Sequence, residues 1–170
     1  MRPLFLLSLS VLVVGLVIGI AIGIDSSESP PDGLEGTWVL RFYGEPGKLR
    51  LPYPWNPLGD ITLTISACAT AEQEISDYPA RDYVISTYAG VNWCGGNCEV
   101  NGNKFITYTV YGEEKHTGSL MCTERAGPPH LMAQEDRYLD ILTSAQTYEI
   151  TNSRLFIFSV KEVLGFTRKG

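Results

Sequence analysis

The chain has 170 residues and a formal net charge of -6, from 19 acidic and 13 basic side chains. This length allows one domain built on a single hydrophobic core. Proteins bind nucleic acid largely through Lys and Arg that neutralise phosphates, so the acidic balance excludes nucleic acid as a partner. Gly95-Gly96 precedes a strand pattern rather than a helix, so we find no phosphate loop and expect no cofactor.

The chain opens on an apolar run, residues 3–24, that contains only Ser and Gly besides apolar residues and Pro3. A helix of about 20 residues crosses the hydrocarbon core of a bilayer, whereas the core of a cleavable signal has roughly 7–15. Arg2 is the sole charge before Asp25, which keeps the N-terminus cytoplasmic. We therefore predict that residues 1–24 are a signal anchor in the cell membrane.

The rest of the chain is then expected outside the cytoplasm, periplasmic or extracellular, and secreted if the anchor is cleaved. Residues 25–33 form a polar, proline-containing linker. Residues 34–170 form the folded domain. The lipid bilayer, through residues 3–24, is one predicted partner, and an envelope protein is the second.

Four cysteines, Cys68, Cys94, Cys98 and Cys122, lie in the exported part. An even number outside the cytoplasm indicates disulfides, with three connectivities open. Cys94 and Cys98 supply one knuckle, half of a zinc site, but neither a second knuckle nor histidines at ligand spacing accompany them. A redox pair would need a Cys-x2-Cys at a helix start, whereas the surroundings here are strand-like. We favour structural disulfides and predict no metal site.

The domain has mostly strand patterns. Residues 36–44 are rich in Trp, Val, Phe and Tyr; residues 60–67 alternate apolar and polar side chains, and residues 82–90 repeat the alternation. Asn101-Gly102 is a type I′ hairpin signal. Three further short strands are expected near the C-terminus, separated at residues 151–153 and near residues 161–162.

One segment, residues 131–146, has helical spacing of its apolar residues after Pro128-Pro129. Gln134, Glu135 and Asp136 are expected in its first turn, where acidic side chains suit the helix dipole. The predicted fold is α+β and mainly antiparallel β: a small sheet or open barrel packed against one helix, preceded by the N-terminal transmembrane helix.

Several short motifs, in this order, resemble the META domain of the HslJ-like, heat-shock-associated envelope proteins. They are Gly36-Thr37-Trp38-Val39-Leu40, Ile61 to Ile65, the turn Gly90-x-Asn92-x3-Gly96, Thr123-Glu124-x-Ala126, Met132-x-Gln134-Glu135-x2-Tyr138-Leu139, Leu155-Phe156-Ile157 and Leu164-Gly165-Phe166. The resemblance implies a compact antiparallel β domain with one helix, exported and often tethered to the membrane. Members are associated with heat shock, novobiocin resistance, motility and virulence. No catalytic residue is established for the family, so the resemblance implies no enzyme.

The resemblance also bears on the cysteines. The family carries a bonded pair, one cysteine in a Gly-Cys-Asn turn and one ending a Thr-x-Met-Ala-Cys run. Here Val91 and Gly127 stand at those two places. Cys94 and Cys122 fall near the same two segments, so we hypothesise that they bond to each other in shifted register. Cys98, which stands where the family has an interior aromatic residue, would then bond to Cys68.

The other candidate residues do not form a recognisable catalytic motif. His116 and His130 are not accompanied by a nucleophile motif, and the adjacent carboxylates on charged segments are expected to be solvated. Tyr53 and Trp55, among three prolines in residues 51–59, form a candidate partner-binding loop or cap the end of the sheet.

Two function classes remain. The first is a non-enzymatic envelope protein with a stress-associated or interaction role. The second is a small-barrel carrier or pilot protein that binds an apolar ligand or lipid chain. The barrel interior discriminates between them. A filled core favours the first class; the residues expected to fill it are Trp38, Ile61, Leu63, Ile65, Phe105, Leu139 and Phe156. A continuous apolar tunnel favours the second.

Overall fold

The computed structural model describes residues 33–52, 59–68 and 81–170. No helix within these three ranges is long and apolar enough to span a bilayer. The predicted anchor and nearly all of the linker lie outside the described residues, as do Tyr53 and Trp55.

The described chain contains ten strands and one helix. Their bounds are β1 Gly36–Gly44, β2 Thr62–Ala67, β3 Arg81–Tyr88, β4 Trp93–Asn101, β5 Lys104–Tyr111, β6 Glu114–Thr117, β7 Met121–Cys122, α1 Pro129–Thr143, β8 Thr147–Thr151, β9 Arg154–Phe158 and β10 Val163–Arg168. The strand patterns noted in the sequence therefore correspond to strands, with ends displaced by one or two residues in β2 and β3.

The strands close into a barrel rather than an open sheet. The order β5-β8-β9-β10-β1-β2-β3-β4 returns to β5 because β4 and β5 also pair, and every described pair is antiparallel. The short strands β6 and β7 add to β5 and β4. Closure satisfies the backbone groups that an open sheet would leave at its two edges.

The β5–β8 pairing that completes the ring is short. Lys104 and Thr147 are its one residue pair in register. Backbone hydrogen bonds extend it on both sides, from Phe105 N to Gln146 O at 3.0 Å and from Tyr148 N to Asn103 O at 2.8 Å. The contact joins segments that are distant in sequence, so local strand patterns do not reveal it.

Side chains fill the barrel interior, as expected for a closed barrel of about eight strands. Trp38 and Phe105 are completely buried, and the Trp38 indole N–H donates to Leu34 O at 2.9 Å. Of the predicted core, Trp38, Ile61, Leu63, Ile65 and Phe105 are buried, while Leu139 packs partly buried against the core.

Phe156 is an exception among the residues predicted to fill the core. It is half-buried on the outer wall, where its ring centroid lies 6.1 Å from that of Phe42 and 6.4 Å from that of Phe158. The reason is the alternation along β9, which turns Leu155 and Ile157 inward and Phe156 outward.

The helix α1 packs its apolar side chains onto the barrel. It begins at Pro129, two residues before the predicted start, with Pro128 as its N-cap. Tyr138 is completely buried; its hydroxyl lies 2.7 Å from the Thr87 hydroxyl and its ring contacts Phe166 edge-on. The earlier start moves residues 134–136 out of the first turn, so the prediction that they serve the helix dipole is wrong.

Two hairpins use different turns. The residues between Asn101 and Lys104 are Gly102 and Asn103, and only Gly102 has positive φ, at 56°. A type I′ turn needs positive φ at both central residues, so the predicted type I′ turn is wrong here and the pattern is that of type II′. The β8–β9 hairpin has the type I′ pattern, with φ of 48° at Asn152 and 64° at Ser153.

We expect Ser153→Gly to stabilise the domain, because Ser pays a steric cost in the left-handed region that Gly does not. The gain in the free energy of unfolding should be about 0.5 kcal/mol, after subtracting the greater freedom of Gly in the unfolded chain. Urea denaturation measures it. Ser66→Gly, at an exposed strand position, is the control and should destabilise. A loss of stability in Ser153→Gly would contradict the prediction.

Candidate functional site

Gly90 and Asn92, the first two residues of the family-motif turn, connect β3 to β4 together with Val91 between them. Ala89 N donates to Asn92 O at 2.9 Å, and the Tyr88 hydroxyl donates to Gly90 O at 2.8 Å. Gly90 has φ of 118°, a conformation that side chains with a Cβ rarely adopt. All three residues of the turn are buried, so their polar groups need partners within the protein.

Glu135 of α1 supplies those partners. Its Oε2 accepts the backbone N–H groups of Val91 at 2.9 Å and Asn92 at 2.7 Å, and its Oε1 accepts Asn92 Nδ2 at 2.6 Å. The carboxylate is buried, so these charge-assisted bonds form away from water. Glu135 is therefore the side chain that joins the helix to the turn, a role that the sequence interpretation missed.

Asn92 extends this network to the segment after β7. Its Oδ1 accepts Arg125 N at 2.7 Å and the Thr123 hydroxyl at 2.9 Å, while Nδ2 also donates to Arg125 O at 3.2 Å. An amide serves here because it has both a donor and an acceptor. Asn92 and Glu135 thus join three segments, and their polar atoms are occupied by structural bonds rather than available for a substrate.

Gly96, the third residue of the motif, lies where β4 separates from β5. A Cβ at this position would lie 2.9 Å from Leu120 Cδ2 and 3.0 Å from Tyr108 O. Glycine therefore permits the chain between β6 and β7 to pack closely on β4. Its role in the described structure is steric.

The structure contains a disulfide between Cys94 and Cys122, with their Cα atoms 4.0 Å apart. The two residues face each other in the β4–β7 pair. This is the first of the two bonds that we hypothesised from the META resemblance. Strand β7 has only two residues, and both pair with β4. The disulfide therefore reinforces a short pairing that holds this part of the chain to the barrel.

The second hypothesised bond is wrong: Cys68 and Cys98 are free thiols. Strand β3 lies between the strands that carry them, since Ala67 pairs with Tyr83 and Tyr83 pairs with Cys98. Cys98 points into the barrel, as predicted, whereas Cys68 follows Ala67 and falls on the opposite face by alternation. Two strand spacings, about 10 Å, exceed the Cα separation of any disulfide.

The surroundings of Cys98 make it an inert thiol. Burial, with a contribution from Asp82, raises its pKa well above the usual range, so the neutral form persists. The Tyr148 hydroxyl is also buried and has no hydrogen-bond partner among the described residues. Burial, followed by the influence of Tyr83 and Cys98, raises the Tyr148 pKa to about 12. These groups stay protonated at neutral pH.

Val91 and Gly127, which replace the family's cysteines, touch each other. A Cβ on Gly127 would lie 2.7 Å from Val91 Cγ2 and 3.0 Å from Val91 Cγ1. Val91 is buried, and its isopropyl group occupies the space beside Gly127. The two positions are therefore adjacent in space, as a bonded pair requires, and the Cys94–Cys122 bond joins the same two segments nearby.

The remaining sequence candidates are scattered. His116 lies in the exposed strand β6, 3.6 Å from Glu114, and His130 is exposed in the first turn of α1. Within residues 33–52, 59–68 and 81–170 no group of three or more His, Cys, Asp or Glu could hold a metal ion. The two histidines lie in different elements, β6 and α1.

An exposed strip of large side chains crosses the outer wall beside the disulfide. It consists of Tyr88, Trp93 and Met121, which we call the aromatic strip. The Tyr88 and Trp93 ring centroids are 5.2 Å apart, and Trp93 and Met121 are each more than half exposed. Met121 pairs with Gly95, whose missing side chain leaves the wall flat beside Trp93. Sequence reasoning missed this strip because its members come from three strands.

We expect Glu135→Gln to lower the free energy of unfolding by about 2–3 kcal/mol, because the amide leaves a buried N–H of the turn without an acceptor. Chemical denaturation measures the loss. Glu124→Gln, an exposed carboxylate on the neighbouring segment, should change stability little. Equal stability of the two variants would show that the bonds between Glu135 and the turn contribute nothing.

Replacing Cys94 and Cys122 by Ala should cost about 3–4 kcal/mol, because the bond closes a loop with a sequence separation of 28. Adding Val91→Cys and Gly127→Cys to that variant should recover much of the loss, since these positions touch. Non-reducing mass spectrometry reports the new bond, and Val91→Cys alone is the control. Free thiols at positions 91 and 127 of the fourfold variant would contradict the shifted-register hypothesis.

The family model of the META domain matches residues 80–170, more than half of the chain. A similar solved structure is an NMR structure of a protein from Burkholderia xenovorans, 18% identical, with a TM-score of 0.48 over 79% of this chain and 82% of that chain. A comparison of the sequence with curated proteins returned no match. The matched range contains the turn, the helix and the last three strands, and the chain belongs to the META domain family.

Proposed function

We propose that this chain is a membrane-tethered, exported META-domain protein that acts as a non-enzymatic interaction module with a stress-associated role in the cell envelope. Residues 3–24 supply the tether in this proposal. The stress association rests on the resemblance to the HslJ-like proteins. The disulfide between Cys94 and Cys122 supports an oxidising compartment, where such bonds persist.

The observation that carries the interaction role is the filling of the barrel. Large side chains from opposite walls and from α1 meet inside it, and Trp38, Phe105, Tyr138 and Phe166 are at most 1% exposed. A carrier of a lipid chain needs that volume for its ligand. The filled interior therefore favours binding on the outer wall over the alternative, a carrier or pilot protein for an apolar ligand.

The aromatic strip is the outer surface that best fits a protein partner. Exposed Trp, Tyr and Met are enriched at protein interfaces because they bury much apolar area with few rotatable bonds. The neighbouring disulfide and the Asn92 network fix the strands that carry the strip. A preorganised surface loses less entropy on binding.

The path of the chain suits a tether. Arg168 holds the start of the domain, donating to the carbonyls of Glu35 at 2.8 Å and of Gly33. From there β1 runs to Gly44, which lines a cavity together with Arg137 of α1. Because β1 spans roughly 30 Å, its end at the cavity lies far from a tether attached before Gly33.

The experiment isolates the full chain from membranes after cross-linking. An intact mass that retains residues 3–24 is expected for the tether. Trp93→Ser should lose most of the cross-linked protein partner, whereas Tyr111→Ser, an exposed aromatic residue outside the strip, should keep it. Retention of the partner by Trp93→Ser would contradict the surface assignment. A stoichiometric lipid in native mass spectrometry would favour the carrier instead.

A further inference from the structure

A cavity of about 200 Å³ lies where the end of β1 meets α1, and we call it the arginine cavity. Its lining residues are Tyr43, Gly44, Glu45, Lys48, Arg50, Arg137 and Glu162. The volume is smaller than that of pockets for drug-sized ligands, which begin at about 300 Å³. It suits a small ion, or one end group of a larger molecule.

The backbone directs Arg50 towards this cavity. Tyr43 and Arg50 form an antiparallel bridge, with N–H···O bonds of 3.0 and 2.8 Å in the two directions. Side chains directly opposite each other in such a bridge share a face. Tyr43 is buried and lines the cavity, so Arg50 stands on the cavity side as well.

The charges in the cavity leave Arg50 uncompensated. Arg137 Nη2 lies 2.6 Å from Glu162 Oε1, and Lys48 Nζ lies 3.1 Å from Glu45 Oε2. Among the described side chains, Arg50 has no hydrogen-bond or ion-pair partner. Three basic and two acidic residues give the lining a charge of +1, in a chain whose net charge is -6. An isolated guanidinium at a cavity attracts an oxyanion.

The walls of the cavity are fixed before any ligand arrives. Lys48 N donates to Glu45 O at 2.9 Å, closing a turn in which Gly47 has φ of 84°. On the other side Glu162 N donates to the Ser159 hydroxyl at 3.1 Å. The Glu162 side chain is only 9% exposed, and it holds the Arg137 guanidinium in place. Such preorganisation lowers the entropic cost of binding.

We propose that the arginine cavity binds a small oxyanion group, a carboxylate or a phosphate. Arg50 is its principal ligand through a two-pronged hydrogen bond, and Arg137 also lines the cavity. Glu162 keeps Arg137 oriented but also repels the anion. This site is separate from the aromatic strip and does not depend on the role proposed for that strip.

The test titrates the purified full chain with sodium phosphate and, separately, sodium acetate at constant ionic strength, followed by calorimetry or by NMR of the Arg side chains. We expect saturable one-to-one binding of at least one anion. Arg50→Gln should weaken binding about tenfold or more. Arg154→Gln, an exposed arginine of the β8–β9 hairpin, is the matched control and should leave binding unchanged.

A second variant separates binding from a structural effect. Glu45→Gln removes a negative charge from the lining and leaves the Glu162–Arg137 pair intact, so phosphate or acetate should bind more tightly than to the original chain. Structural damage would instead weaken binding in both variants. The proposal is overturned if neither anion binds saturably, if Arg154→Gln lowers affinity as much as Arg50→Gln, or if Glu45→Gln weakens binding. A preference for phosphate or for acetate identifies the group.

Discussion

The buried carboxylate of Glu135 is the constraint on which the arrangement of this domain depends. A carboxylate loses its hydration on burial, and three N–H donors from the β3–β4 turn replace it here. The same contact fixes the rotation and position of α1, which in turn places Tyr138 inside the barrel. Through Asn92 it also fixes the segment after β7. One side chain thus couples the helix, a turn and a connecting segment.

The sequence predicts the strands well because alternation is a local property, visible in Leu63 and Ile65 of β2. It predicts the helix because the helical spacing of apolar residues is also a local property. Closure of the barrel is not visible, because it depends on β5 meeting β8 across the helix. Glu135 was readable in principle: it lies four residues after Leu131 and three before Tyr138, on the apolar face of α1. A charge on such a face indicates an internal partner.

For the cysteines, the bonded segments were predicted correctly, whereas the direction of one side chain was not. The META resemblance located the two segments that a disulfide joins, and Cys94 and Cys122 do join them. It indicated an interior position for Cys98 but none for Cys68, which falls on the opposite face of the barrel wall and two strands away, and the Cys68–Cys98 pairing failed for that reason. At the place where the family has its bond, the isopropyl group of Val91 lies against Gly127, which has no side chain. The covalent link is kept while its position moves along the chain.

The pairing of β1 with β10 has a consequence for the folding of the chain. β1 pairs with β10, so that Trp38 stands opposite Arg168, almost the full length of the domain away in sequence. Any chain that emerges progressively, from a ribosome or through a membrane channel, exposes one edge of β1 until its last residues are free. Non-local pairing of this kind slows folding and leaves an edge open to aggregation. Completion of the barrel is therefore timed by the arrival of Leu164 and Phe166, whose burial secures the final strand.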